Sequence, residues 1–259
     1  MRKLIATTGG TEVGWSRHNE EGVFRDYQAE AERLMSSAIE FGLECTIFTN
    51  SYFYSLPYYE THKDVMDKVS FGFTMKSIEL YESFKNMDYG DIIILTDSNH
   101  VVAQNPQIIY DIADQLDCFI YDHIWVKYLN KQFTRRDTFV NMGCDEERYW
   151  NSIHVQCNLW AFKKTKKTED FAEEYHNDAL TYNIMFGEDK YPNFPDFIVH
   201  RHDQSIFSIL REKYDFPYVE RQKSKNLWTE YVIPETSMIQ SENPVDNSHR
   251  KEEDSKENA

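Results

Sequence analysis

The 259-residue chain has room for one large domain or two small ones, at about 150 residues per domain. Its 17 Tyr, 17 Phe and 5 Trp can fill a substantial core, while 9 Gly and 7 Pro exclude a collagen-like or linker-dominated chain. Forty-four acids against 28 bases leave a net charge of −16, a field that repels nucleic-acid backbones and anionic lipid surfaces. A small anionic ligand in a locally basic pocket stays compatible with that charge.

No run reaches the ~18 apolar residues that a membrane span needs. The opening Met1-Arg-Lys-Leu-Ile-Ala becomes strand-like at once, without the long apolar core of a signal peptide. Cys45, Cys118, Cys144 and Cys157 form no CxxC pair, the pattern of a reduced protein with incidental thiols. The expected location is the cytoplasm, free or at the periphery of a membrane.

Leu4 to Gly10 reads as a buried strand running into a glycine turn. Phe24, Tyr27, Ala31, Leu34, Met35, Ala38 and Ile39 recur at helical spacing, which predicts a helix over 23–41 with Gly42 as its C-terminal cap. Cys45 to Thr49 reads as a second buried strand, so strand, helix and strand fall within fifty residues as in a parallel βαβ unit. Ser51 to Tyr59 reads as an irregular, tyrosine-rich loop, and Met75 to Phe84 as a helix.

Asp91 to Thr96 is an uninterrupted apolar run, too apolar for a sheet with one wet face, and is expected to be a central parallel strand. Further along, Pro106–Leu116 is an expected helix, Cys118–Tyr121 and His154–Phe162 are expected strands, and Thr168–Tyr182 and Gln204–Tyr214 are expected amphipathic helices. The basic run Lys163–Lys167 reads as a solvated turn. Residues 241–259 hold six acids, three bases and no aromatic side chain, the composition of a disordered acidic tail. One α/β domain over 1–240, with a mostly parallel central sheet flanked by helices, is the expected architecture.

Three polar clusters interrupt this pattern. In Thr96-Asp97-Ser98-Asn99-His100 a buried strand ends in an acid, a hydroxyl, an amide and an imidazole, at the strand end where open α/β sheets bind ligands. Asp97 and Asn99 can offer oxygen to one divalent cation, or they can form a strand-ending turn. His200-Arg201-His202-Asp203-Gln204-Ser205 opens a predicted helix. Asp203 can cap that helix, or these groups can face a substrate, with His202 toward metal or phosphate and Asp203 and Gln204 toward sugar hydroxyls. Arg135 and Arg136 can clamp a diphosphate, or form a salt-bridged loop in which Asp137 satisfies one guanidinium.

Gly9-Gly10 is not a dinucleotide fingerprint, because no third glycine follows at the right spacing. No Walker, HExxH or GxSxG motif is present. A nucleotidyltransferase would need a basic, glycine-rich loop, whereas Gly9-Gly10-Thr11 runs into Glu12 with no basic residue before Arg17.

A strand ending in a DxD-like triplet after about ninety residues of βαβ pattern resembles the GT-A class of nucleotide-sugar glycosyltransferases. Within that class, Phe71-Gly-Phe-Thr-Met-Lys76 is similar to the "GYGYWxWKP" element of a family of capsular and surface-polysaccharide glycosyltransferases. Phe133-Thr-Arg-Arg-Asp137, followed by Phe139 and Met142-Gly-Cys-Asp145, resembles that family's "xWTKRDxFxxxGCD". Gln156 to Thr165 resembles its "QxxxxxFKKT" and Phe194 to Ser205 its "FPxFxxHRHDQS". These segments run in order from Phe71 to about Tyr214.

The resemblance implies a single GT-A, Rossmann-like domain that moves a sugar from a nucleoside diphosphate sugar, a UDP-sugar foremost, to a hydroxyl of a glycan or related acceptor. It implies that the stretch from Thr7 and Thr8 to Thr11 holds the nucleoside. Asp97 and Ser98 would meet the ribose and diphosphate, and Lys76, Arg135, Arg136 and Gln156 would be donor-side contacts. Asp203 would be the catalytic carboxylate, with Gln204 on the transferred sugar. A Mn²⁺ or Mg²⁺ ion would be held by Asp97, Asn99 and His202. The triplet here is Asp-Ser-Asn, one anionic ligand short of DxD, so a relative kept as a carbohydrate- or partner-binding module is the competing reading.

Overall fold

The computed structural model describes residues 1–9, 27–67, 73–122, 128–219 and 239–241. Strand β1 (Lys3–Thr8) leads to helix α1 (Tyr27–Ile39) and strand β2 (Glu44–Phe48). Two short helices, α2 (Asn50–Ser55) and α3 (Lys63–Met66), precede α4 (Met75–Lys85) and strand β3 (Ile92–Thr96). Then come β4 (His100–Val102), α5 (Gln107–Leu116) and β5 (Cys118–Asp122). Three short helices follow, α6 (Asn130–Phe133), α7 (Arg136–Asn141) and α8 (Glu147–Trp150). The chain continues through β6 (Val155–Lys163), α9 (Lys166–Ala179), α10 (Tyr182–Met185), α11 (Asp203–Lys213) and β7 (Ile239–Ser241).

The five-stranded sheet has the order β2-β1-β3-β6-β5. The β1–β2 and β1–β3 pairs are parallel, while β6 runs antiparallel to both neighbours, so four of the five strands share one direction. This is the mostly parallel α/β sheet expected of the sequence.

The apolar run of β3 serves both faces. Ile93 and Leu95 enter the core built with α4, α9 and α11, while Ile92 and Ile94 enter the core built with α1 and α5. Strand β6 repeats the device, with Trp160 and Phe162 on the first face and Leu159 and Ala161 on the second. Each face removes apolar area from water, the dominant favourable term in folding. Gly9 allows the sheet and α1 to approach closely: a Cβ there would lie 2.8 Å from an Ile47 methyl and 3.0 Å from the Ala31 Cβ. Gly42 takes φ +73° beyond α1, the left-handed conformation of a helix-ending glycine.

Several expectations are corrected. The Ser51–Tyr59 stretch contains helix α2, started by Thr49, whose side chain accepts from the Tyr52 amide, and anchored by the buried Phe53. The basic run is not a solvated turn. Lys164 is buried, and its ammonium donates to the Met87 carbonyl at 2.7 Å and to the Phe84 carbonyl, just where α4 ends. A cation there answers both the orphan carbonyls and the negative end of the helix dipole. Lys166 and Lys167 belong to α9, which starts two residues before its expected position because Thr165 caps it. Helix α11 begins at Asp203 with His202 in the cap position, so Asp203 is not the cap.

The start of the first expected helix, 23–26, lies outside the described residues, as do Gly10, Thr11, Phe71 and Gly72. The acidic tail lies outside them too, apart from Ser241, which pairs with His100 in the β4–β7 ribbon. Among the described residues no helix is long and apolar enough to cross a membrane.

Candidate functional site

Strand β1 pairs with β2 on one side and β3 on the other, so the connections diverge between β1 and β3. A crevice outside the carboxyl ends of strands at such a switch point is where open α/β sheets bind ligands. Thr7 and Thr8 end β1 at this edge, and Asp97 follows the end of β3. Because β6 is antiparallel, its first residues arrive at the same edge, and the Asp97 amide donates to the Asn158 carbonyl at 3.0 Å.

Two helices bring charge to this edge. Lys76 lies in the first turn of α4, and its ammonium donates to Asp97 Oδ1 at 2.8 Å and to the Cys157 carbonyl. Glu79, one turn on and 1% exposed, accepts from the Thr8 hydroxyl. Asp203 opens α11, and its carboxylate takes backbone N–H bonds at that helix start, including that of Gln204. Gln204 holds the helix end to β6 by donating from Nε2 to the Val155 carbonyl at 2.9 Å. The residue before Asp203, His202, sits at φ +48°, a left-handed conformation that costs a non-glycine residue about 1–3 kcal/mol. Its Nδ1 lies 3.1 Å from the Met185 carbonyl, and its ring packs on Phe73 with centroids 4.0 Å apart.

The electrostatics follow from this placement. Burial pulls the Lys76 ammonium down, but Asp97 and Asp203 outweigh it, so its pKa rises and the charge is fixed. Burial pushes Glu79 up to about 8, with Lys76 opposing and Asp97 adding, so this carboxyl is mostly protonated at neutral pH. Burial raises Asp203 to about 6, against Lys76 and the Gln204 amide and with a further push from Asp97. The buried Cys157 thiol is driven well above its ordinary value by burial and by Asp203, so it stays neutral. The Tyr175 hydroxyl, fully buried beneath the cluster, is raised by burial and by Asp203, Cys157 and Glu79.

The structure therefore gathers Thr8, Lys76, Asp97 and Asp203, and it adds Glu79, which the sequence reading passed over. Other expected contacts are engaged elsewhere. The buried Thr7 hydroxyl donates to the Thr96 carbonyl at 2.7 Å and ties β1 to β3. Ser98 is buried and donates to Glu30 of α1 at 3.0 Å. Gln156 is half-buried on β6.

The diphosphate clamp expected of Arg135 and Arg136 is not assembled. Arg135 donates to the Gly187 carbonyl and lies 3.5 Å from Asp189, while Arg136 pairs with Asp145 at 3.2 Å beside Trp150 and Phe194. Asp137 satisfies neither arginine, because its carboxylate accepts the Lys190 and Tyr191 amides at 3.0 Å.

The expected metal ligands Asp97, Asn99 and His202 are each engaged within the protein. Asp97 is already paired with an ammonium, the Asn99 amide oxygen is buried, and His202 is packed against Phe73. Among the described residues no three His, Cys, Asp or Glu side chains form a metal-holding group.

No protein-family model matches the chain, and neither does any curated protein. Solved structures similar to it over nearly the full length include two glycosyltransferases. One is mouse xyloside xylosyltransferase 1 in its apo form, at 11% identity over 94% of this chain and 98% of that one, with a TM-score of 0.44. The other is a glycosyltransferase involved in the glycosylation of the major capsid of PBCV-1, at 11% identity over 98% and 99%, with a TM-score of 0.38. Likenesses at this level say nothing about chemistry.

Proposed function

We propose that the protein transfers a glycosyl group from a nucleoside diphosphate sugar, a UDP-sugar foremost, to a hydroxyl of a glycan or related acceptor. The observation that carries this reading is the meeting of Lys76, Asp97 and Asp203 at the β1/β3 switch point. These residues come from three separate segments that resemble glycosyltransferase elements, and they supply a cation and two carboxylates.

Each has a role that follows from its chemistry. A departing diphosphate gains negative charge as the glycosidic bond breaks, and a fixed ammonium nearby stabilises that charge more in the transition state than in the ground state. Asp97, 41% exposed at its side chain, is available to the donor's ribose hydroxyls while it orients Lys76. Asp203 is the carboxylate for the reacting sugar. In an inverting transfer it takes the proton from the acceptor hydroxyl. In a retaining transfer it stands by the anomeric carbon.

The competing reading, a glycan- or partner-binding module without catalysis, draws on Ser98, Arg135 and Arg136 being engaged away from Asp97. Thermal unfolding with UDP, GDP, CDP or dTDP separates the two. One nucleotide should raise the melting temperature of the wild type and leave Asp97→Ala unmoved, since only a ligand that favours the native state stabilises it. No shift with any of the four favours the binding module.

A further inference from the structure

A nucleoside diphosphate brings two to three negative charges to a protein whose net charge is −16, so its site needs a local cation. Among the described residues, no three His, Cys, Asp or Glu side chains at the carboxyl edge of the sheet gather into a metal-holding group. Asp97 Oδ1 faces the Lys76 ammonium at 2.8 Å. The Asn99 amide oxygen is buried, and the His202 ring packs on Phe73 with its Nδ1 toward the Met185 carbonyl.

Lys76 has the properties that the missing ligand set lacks. Its ammonium is positioned from two sides, by Asp97 and by the Cys157 carbonyl on β6. An ammonium carries three donors, and among the described residues these two partners occupy two of them. The Lys76 side chain keeps 19% of its surface exposed. Lys76 also lies in the first turn of the 11-residue α4, where the helix dipole favours an anion. Glu79 lies one turn further on but is mostly protonated at neutral pH, so it does not cancel the charge.

We infer that the Lys76 ammonium, and not a divalent cation, is the positive charge that receives the donor's diphosphate, so that donor binding needs no metal. This rests on the proposed reading of the site as a nucleotide-sugar site. The Asp-Ser-Asn triplet fits it: an ammonium needs a single anionic anchor, Asp97.

The test uses the full chain and the four nucleoside diphosphates UDP, GDP, CDP and dTDP, each titrated by thermal shift in EDTA and in MnCl₂. One of them should stabilise the wild type as strongly in EDTA as in manganese. In EDTA, Lys76→Met should bind that nucleotide roughly 10- to 100-fold more weakly, the size of a lost charge-assisted hydrogen bond. A shift that appears only with manganese overturns the inference and leaves the nucleotide reading standing, and so does wild-type affinity in a folded Lys76→Met. If Lys76→Met does not fold, the wild-type comparison of EDTA with manganese decides alone. Absence of any shift in both conditions removes the nucleotide reading, and the inference with it.

Discussion

Replacing Asp203 with Asn should lower the rate of sugar transfer by about 10²- to 10⁴-fold, the usual contribution of a positioned proton acceptor. Asn keeps the size of the side chain and an oxygen for the backbone N–H bonds at the start of α11, but it cannot take a proton. The pH profile makes the prediction specific. Burial holds Asp203 at about 6, so the carboxylate is available above that pH and lost below it. The wild-type rate should therefore fall about tenfold per pH unit below pH 6, and the residual rate of Asp203→Asn should not show that limb. A variant with wild-type turnover would remove Asp203 from the chemistry and make its place at the helix start purely structural.

Replacing Glu79 with Gln should have the opposite kind of effect, on stability and with a sign that depends on pH. Burial raises this carboxyl from its ordinary 4.5 to about 8 in the folded protein. The folded state thus binds the proton more tightly than the unfolded chain. That contribution is fully present below about pH 4.5 and is lost as pH rises through about 8. At 1.36 kcal/mol per pKa unit the full loss is on the order of 5 kcal/mol, reached only when Glu79 is ionised. Gln is uncharged throughout and can still accept from the Thr8 hydroxyl. Melting temperatures at pH 5 and pH 8.5 should therefore diverge, with Glu79→Gln near wild type at the lower pH and clearly more stable at the higher. Parallel behaviour at both values would mean that Glu79 is ionised in the native protein and held by Lys76.

How much of this was legible in the sequence depended on whether the signal was local. Strand β3 was legible because four consecutive apolar residues, Ile92 to Leu95, can only be buried on both faces. The Asp97 and Asp203 segments were legible because polar residues stood at the ends of recognisable elements. Glu79 was missed because an acid inside an amphipathic helix reads as part of the solvent face. Its spacing of three from Lys76 was the available sign that both lie on one face of α4.

Arg135 and Arg136 misled for a geometric reason. Neighbouring residues at the start of a helix point in different directions, and each guanidinium met its own acid, Asp189 or Asp145, across a loop that no local pattern connects. Ser98 was read with Asp97, yet its partner is Glu30, 68 residues away on α1. Lys164 belongs with it, because its acceptors at the end of α4 are 77 and 80 residues back along the chain.

In the proposed function, the Lys76–Asp97–Asp203 edge breaks the bond between a sugar and a nucleoside diphosphate. Its most direct test is to incubate the wild type and Asp203→Asn with UDP-, GDP-, CDP- and dTDP-sugars and measure the nucleoside diphosphate released. Release from the sugars of one nucleotide, slow without acceptor and lost in Asp203→Asn, is the predicted result. No release from any of them, by wild-type protein that is folded and binds the nucleotide, would contradict it.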